Sequence, residues 1–308
     1  MTNTTIHGQA PSEPDVKAAP TAIKDSAGYT TFRIVNIALL LLMCFLILYP
    51  FANLVAQAFS SEAYIITGQV NILPRGFNVR TFEYVMSDSM FWLNYRNTLV
   101  YTVVGTAIAM FFTTTFAYAI SKQHLKGRNF LIGIAVFTMF FNGGLIPNYI
   151  LISALGMKNT IWALVIPNAI SVFNLLVMKS FFENFPQDLE EAATMDGLTT
   201  YGVFVRIVLP LSKAVLATMV LFYAVAFWNA WFAAFLYMDR AELYPVTIYL
   251  RNLLAGATAI EAQGTDAVQI NANVQAVTML LTALPIICVY PYIQKYFVSG
   301  VMLGSVKQ

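Results

Sequence analysis

Residues 186–210 read PQDLEEAATMDGLTTYGVFVRIVLP. The spacing predicts a helix, a sharp break and a second helix. Pro186 suits a first helical position, because the N–H it lacks would have no partner there. Asp188, Glu190 and Glu191 follow in the first turn, where the helix dipole favours anions. Leu189, Ala192 and Ala193 supply a small apolar face, and Gly197 stops the helix through a left-handed cap. Pro210, flanked by Arg206 and Lys213, opens the next helix. Five of the chain's 15 carboxylates lie between Glu183 and Asp196.

On both sides of this loop charge disappears. The chain has 308 residues, 58% hydrophobic and 10% charged, against roughly 25% charged in a soluble domain. Six stretches carry no charge at all: Ile34–Ser61, Asn97–Ser121, Asn129–Met157, Asn159–Met178, Ala214–Met238 and Ala267–Gln294. Each reaches the ~20 residues that cross a hydrocarbon core of roughly 30 Å. The expected fold is an all-α polytopic membrane protein with six helices, at about 34–57, 97–120, 129–155, 159–181, 213–237 and 273–297. Residues 1–32 are polar and rich in proline, and are expected to form a disordered tail ahead of a membrane domain at 33–308. The first apolar run is too long for a signal peptide and reads as a retained anchor. Segments 58–95 and 239–272 are outer, and 183–212 is the longest inner link. Eleven Lys and Arg fall on the side of the two ends and six on the other, so both termini are expected in the cytoplasm.

The same composition excludes several classes. A net charge of +2 offers no basic patch for nucleic acid. Cys44 and Cys288 lie in apolar runs and His7 and His124 outside them, so no disulfide framework or metal centre is expected. No G-x-x-x-x-G-K-[ST] occurs, so the chain has no nucleotide cradle and no expected catalytic residue. The expected spans carry charge only near their inner ends, at Lys179, Lys213 and Lys295, whereas ion-coupled secondary carriers, the competing class, place ionisable residues deep inside. Energy must therefore come from a partner, and a neutral polar cargo is favoured. The helices carry breakers, including Asn142-Gly143-Gly144, Pro167-Asn168 and Pro285, which free backbone groups. Phe227, Trp228 and Asn229, with Asn142, Asn168 and Asn174, are the candidates to line a substrate path. An interfacial aromatic belt and hydrogen-bonded helix packing are the alternatives for them.

Glu191-Ala192-Ala193, three residues, Gly197, nine residues, then Ile207, one residue, Leu209-Pro210 resembles the EAA loop of ABC-importer permeases at every defining position. Six helices with this loop between the fourth and fifth are similar to the maltose permease branch. FNGGLIPNYILISALGMKNTIWALVIPN, residues 141–168, looks like the subgroup for complex oligosaccharides. The resemblance covers about residues 30–308. It implies a type I importer permease fold in a bacterial cytoplasmic (inner) membrane, forming half of a path for a sugar or oligosaccharide. The implied partners are a second, non-identical permease, two ATPase subunits holding ATP and Mg, and an extracytoplasmic binding protein. Glu191 would pair with a basic ATPase residue, Ala192 and Ala193 would allow close approach, and Gly197 would make the bend. Asp196, Ile207, Leu209 and Pro210 complete the loop. An ABC permease for another polar solute remains the nearest alternative.

Overall fold

The computed structural model describes residues 27–263 and 272–305. Among them the chain is helical and forms no strand. In order the helices are α1 (Ala27–Ala58), α2 (Glu62–Ile66), α3 (Arg80–Ser87), α4 (Ser89–Ser121), α5 (Arg128–Phe140), α6 (Leu145–Ala154), α7 (Trp162–Val165), α8 (Val172–Glu183), α9 (Gln187–Met195), α10 (Thr200–Val203), α11 (Leu209–Leu211), α12 (Lys213–Trp228), α13 (Phe232–Tyr237), α14 (Val246–Gln263) and α15 (Ala272–Ser305). A π-helical turn, Phe204–Val208, joins α10 to α11. The chain divides into two compact units, the first ending at Pro50 and the second starting at Phe51. In the first, the rings of Phe45 and Tyr49 lie 6.0 Å apart on one face of α1.

By length and composition three helices can cross a membrane: Gly28–Ala58, Ser89–Ser121 and Ala272–Val289, with mean hydropathies of 2.5, 1.7 and 1.8. Two further pairs pass if each is one bent span: α5 with α6, at 114°, and Thr200–Leu211 with α12, at 83°. That makes three to five candidates, where the charge-free runs predict six. The difference lies in helix breaks. The expected span 159–181 is divided into α7 and α8, because Pro167 has no N–H to continue the ladder. The expected span 213–237 is likewise split into α12 and α13 at Asn229–Trp231.

Two boundaries also move outward. α1 begins at Ala27, so residues 27–32 are helical rather than part of a disordered tail; residues 1–26 of that expectation lie outside the described residues. α4 begins at Ser89, eight residues before the apolar run, because Asp88 caps it by accepting from the Met90 N–H at 2.8 Å. A helix needs apolar residues only where it meets lipid, so hydropathy underestimates both lengths. In the segment between α1 and α4, Phe59 stacks on Phe77 and Phe82 at 5.8 and 4.8 Å.

The main core joins α4, α8 and the α9–α12 region. Tyr118, Leu175, Met178, Phe182, Ala193, Phe204, Val208 and Met219 are buried together there. Tyr118 stacks on Phe204 at 4.6 Å and meets Phe182 edge-on at 5.8 Å. This core supports the acidic loop from beneath.

Candidate functional site

The loop folds as its chemistry dictates. Pro186 is the N-cap of α9, one position before the expected place. At the other end Gly197 takes φ +85°. Its N–H donates to the Thr194 carbonyl at 3.0 Å, and the Leu198 N–H donates to the Ala193 carbonyl at 3.1 Å. These two bonds are a Schellman cap, which only a residue free to adopt positive φ closes without strain. Thr199 then caps α10, accepting from the Gly202 N–H at 3.3 Å. Pro210 cannot donate to the carbonyl four residues back, and the turn just before it is π-helical.

α9 has two faces. Ala193 is 5% exposed and packs into the core beside Leu198 and Phe204. Ala192, the residue before it, is exposed. The pair expected to allow close approach is thus divided between the chain's own core and the outer surface. Asp188, Glu191, Ala192 and Met195 stand at helical spacings of three, four and seven from the first, and all are exposed, Met195 at 88%. Asp196 is exposed, Ile207 and Leu209 are half-buried, and Pro210 is exposed.

The loop's carboxylates also divide. Glu190 pairs with Lys122 from the α4–α5 link, and Lys122 lies 4.3 Å from the centroid of the Tyr118 ring. Glu183 pairs with Arg128 and, at 2.8 Å, with Lys179. Arg128 also donates through Nε to the Ile120 carbonyl at 2.8 Å. Asp188 and Glu191 have no ion-pair partner among the described residues. A hollow of about 500 Å³ separates Ser121–His124 from α9, with Glu191 and Met195 on its wall.

A larger cleft of about 1070 Å³ opens between the α7–α8 link and the ends of α12 and α13. Four of the six path candidates meet there: Asn168, Asn174, Phe227 and Asn229. Asn168 and Asn229 each donate to the carbonyl four residues back, of Leu164 and Val225, at 2.9 Å. Their side-chain oxygens are not used in those bonds. The other two candidates lie elsewhere. Trp228 is buried, donates to the Thr282 carbonyl at 3.1 Å and meets Tyr95 edge-on at 5.7 Å, beside a smaller hollow of about 350 Å³. Asn142 sits in the α5–α6 break, where its side-chain oxygen accepts from the Gly144 N–H at 3.0 Å.

Tyr223 holds this cleft together. Its hydroxyl accepts from the Ser171 N–H at 3.0 Å and shares a hydrogen bond with Thr113 at 2.6 Å, tying α12 to the α8 N-terminus and to α4. One aromatic among many on α12 gave no sequence signal for that role. Among the described residues, none that lines the cleft is charged.

At one edge of the structure, Asn159 takes φ +58°. It accepts from the Asp239 N–H at 2.7 Å and donates to the Asp239 carboxylate at 3.1 Å. Lys158 joins the same carboxylate at 3.3 Å and donates to Tyr149 at 2.9 Å. The hydrogen bond from Asn159, and then Lys158, hold the Asp239 carboxyl below the usual carboxylate range. The Tyr149 and Asp239 hydrogen bonds raise the Lys158 ammonium.

No family model matches the chain. It is 41% identical over 261 residues to protein LplC of Bacillus subtilis (strain 168), spanning 84% of this chain and 88% of that one. It is 34% identical over 272 residues to the polygalacturonan/rhamnogalacturonan transport system permease protein YtcP of the same organism, spanning 87% and 95%. A solved bacterial ABC transporter involved in the import of the acidic polysaccharide alginate contains a chain with a TM-score of 0.81 and 32% identity. The match covers 89% of this chain and 99% of that one.

Proposed function

The chain belongs to the permease subunits of carbohydrate and oligosaccharide ABC transporters, and from that premise we propose that it forms half of an import path driven by a separate ATPase. The observation that carries this reading is the division of α9 into a core face and an exposed face. Glu190 is consumed by Lys122. Asp188, Glu191 and Met195, with Ala192 between them, remain for a partner. A pocket on the ATPase with a cation at one end and an apolar floor at the other fits this set. Asp196, Gly197, Ile207, Leu209 and Pro210 shape the turn that presents it. ATP and Mg then act on the ATPase, and this chain contributes no catalytic residue.

In this reading the chain crosses a bacterial inner membrane six times, through α1, α4, α5–α6, α7–α8, α12–α13 and α15. Both ends lie inside, as the eleven basic residues on that side favour. A second permease supplies the other half of the path, and an extracytoplasmic binding protein delivers the sugar. The uncharged cleft, with asparagine oxygens beside phenylalanine and tryptophan faces, suits a sugar's hydroxyls and its apolar C–H surfaces.

The test is to co-purify the chain with its ATPase and measure hydrolysis stimulated by the binding protein. Glu191→Lys is expected to release the ATPase or abolish stimulation. Assembly and transport that survive it unchanged would overturn the assignment.

A further inference from the structure

Gly105 lies on α4, and a Cβ added to it would stand 2.8 Å from Cδ1 and Cε1 of Phe227 and 2.9 Å from its Cγ. Non-bonded carbons pack at about 3.5–4.0 Å, so the edge of the ring rests on the bare α4 backbone. All three atoms belong to a rigid ring, and no flexible tip can swing aside. Phe227 is 7% exposed and is held by Ala109, Val165 and Tyr223. Tyr223 is itself fixed by Thr113 and Ser171. The empty volume beside the ring is the cleft whose wall it forms. Glycine is a poorer helix former than alanine, so α4 accepts a local loss at this position in return for the close approach. Tight helix packing through a small residue would account for Gly105 alone. Here the group admitted is a wall of the cleft, and its position sets the width.

We propose that Gly105 is a positioning residue for cargo size: it seats the Phe227 ring against α4 and keeps it out of the cleft. This rests on the reading of the cleft as part of the import path.

The test uses the full-length chain in its membrane complex, with Cys44 and Cys288 replaced by Ser and Ala226→Cys added as a reporter on the cleft wall. Labelling rates are measured with methyl methanethiosulfonate, which is small, and fluorescein maleimide, which is bulky. Gly105→Ala is expected to lower the bulky-to-small rate ratio about tenfold by pushing the ring into the cleft. Adding Phe227→Leu should return the ratio to the parent value. An unchanged ratio in Gly105→Ala, or a ratio that Phe227→Leu does not restore, overturns the proposal. If Gly105→Ala does not assemble, the double variant decides: assembly with the parent ratio supports the contact, and failure to assemble overturns it. If neither reagent labels the parent, the cleft is closed to water, which sinks the import-path reading and the size role together. The contact alone is then judged by whether Phe227→Leu restores the melting temperature lost in Gly105→Ala.

Discussion

Glu190 and Glu191 are adjacent on α9, but only Glu190 has an ion-pair partner among the described residues, so replacing each with Gln separates stability from partner binding. The Glu190 and Lys122 side chains are each 19% exposed, and Lys122 also lies over Tyr118. Fully exposed pairs contribute about 0.2–1 kcal/mol, whereas removing one member of a buried pair costs roughly 3–5 kcal/mol. With about a fifth of each side chain in water, Glu190→Gln falls between these limits, at about 2 kcal/mol. In a domain of this size that corresponds to a melting temperature lower by roughly 4–8 °C. Glu191 has no such partner, and its replacement should change stability by under about 0.5 kcal/mol. Its cost should fall on ATPase affinity, where truncating one side of a buried interfacial charge pair costs about 2–5 kcal/mol, a loss of thirtyfold or more. Thermal melts of the purified chain and titration with the ATPase read the two effects separately. The division of α9 into a core face and a partner face is refuted if Glu191→Gln melts as early as Glu190→Gln. It is equally refuted if Glu190→Gln loses the ATPase at an unchanged melting temperature.

Gly197→Ala introduces a side chain at φ +85° where no atom lies within 4 Å, so its cost of about 1–2 kcal/mol is backbone strain alone. Gly197→Asn should recover part of the lost melting temperature, because Asn tolerates that conformation. Tyr223→Phe leaves the Ser171 N–H without its acceptor and is expected to cost about 1–3 kcal/mol, read as a lower melting temperature and weaker cargo-stimulated hydrolysis. The Asp239 carboxyl is held below its ordinary value of 3.8. Its stabilising contribution is therefore complete above that value and is lost as pH falls through the lower folded value. Melting temperatures taken on acidification should show this loss, and Asp239→Asn should remove that part of the pH dependence.

The loop was legible in the sequence because its signals are local. A cap, an acidic first turn and a glycine stop each act within a few residues, and Gly197 closes the helix as its place in the sequence predicts. The faces were not legible from a run of adjacent residues. Successive helical side chains point about 100° apart, and at this offset Ala193 enters the core while Ala192 stays exposed. For the same reason Phe227 and Trp228 do not share a wall: Phe227 lines the cleft, and Trp228 turns towards Thr282. Asn142 is a polar residue in an apolar run, but before two glycines it also reads as a turn former. Its oxygen is used on Gly144. Span count suffered most, since charge-free length does not register where Pro167 or the Gly143-Gly144 pair interrupts a helix.

The same two helices serve both regions. α8 sends Met178 and Phe182 into the core beneath the acidic loop and places Asn174, near its other end, on the cleft. α12 buries Met219 in that core and carries Tyr223 and Phe227 to the cleft. At 1.5 Å per residue they span roughly 18 and 24 Å. On the proposed reading, a force applied to α9 needs no separate relay. It turns the core that grips both helices, and the faces they turn to the cleft are the walls that must part. The Tyr223 hydroxyl, joined to the first turn of α8 through Ser171, keeps those walls together in the state described. On that reading, parting those walls breaks this hydrogen bond while each helix stays whole.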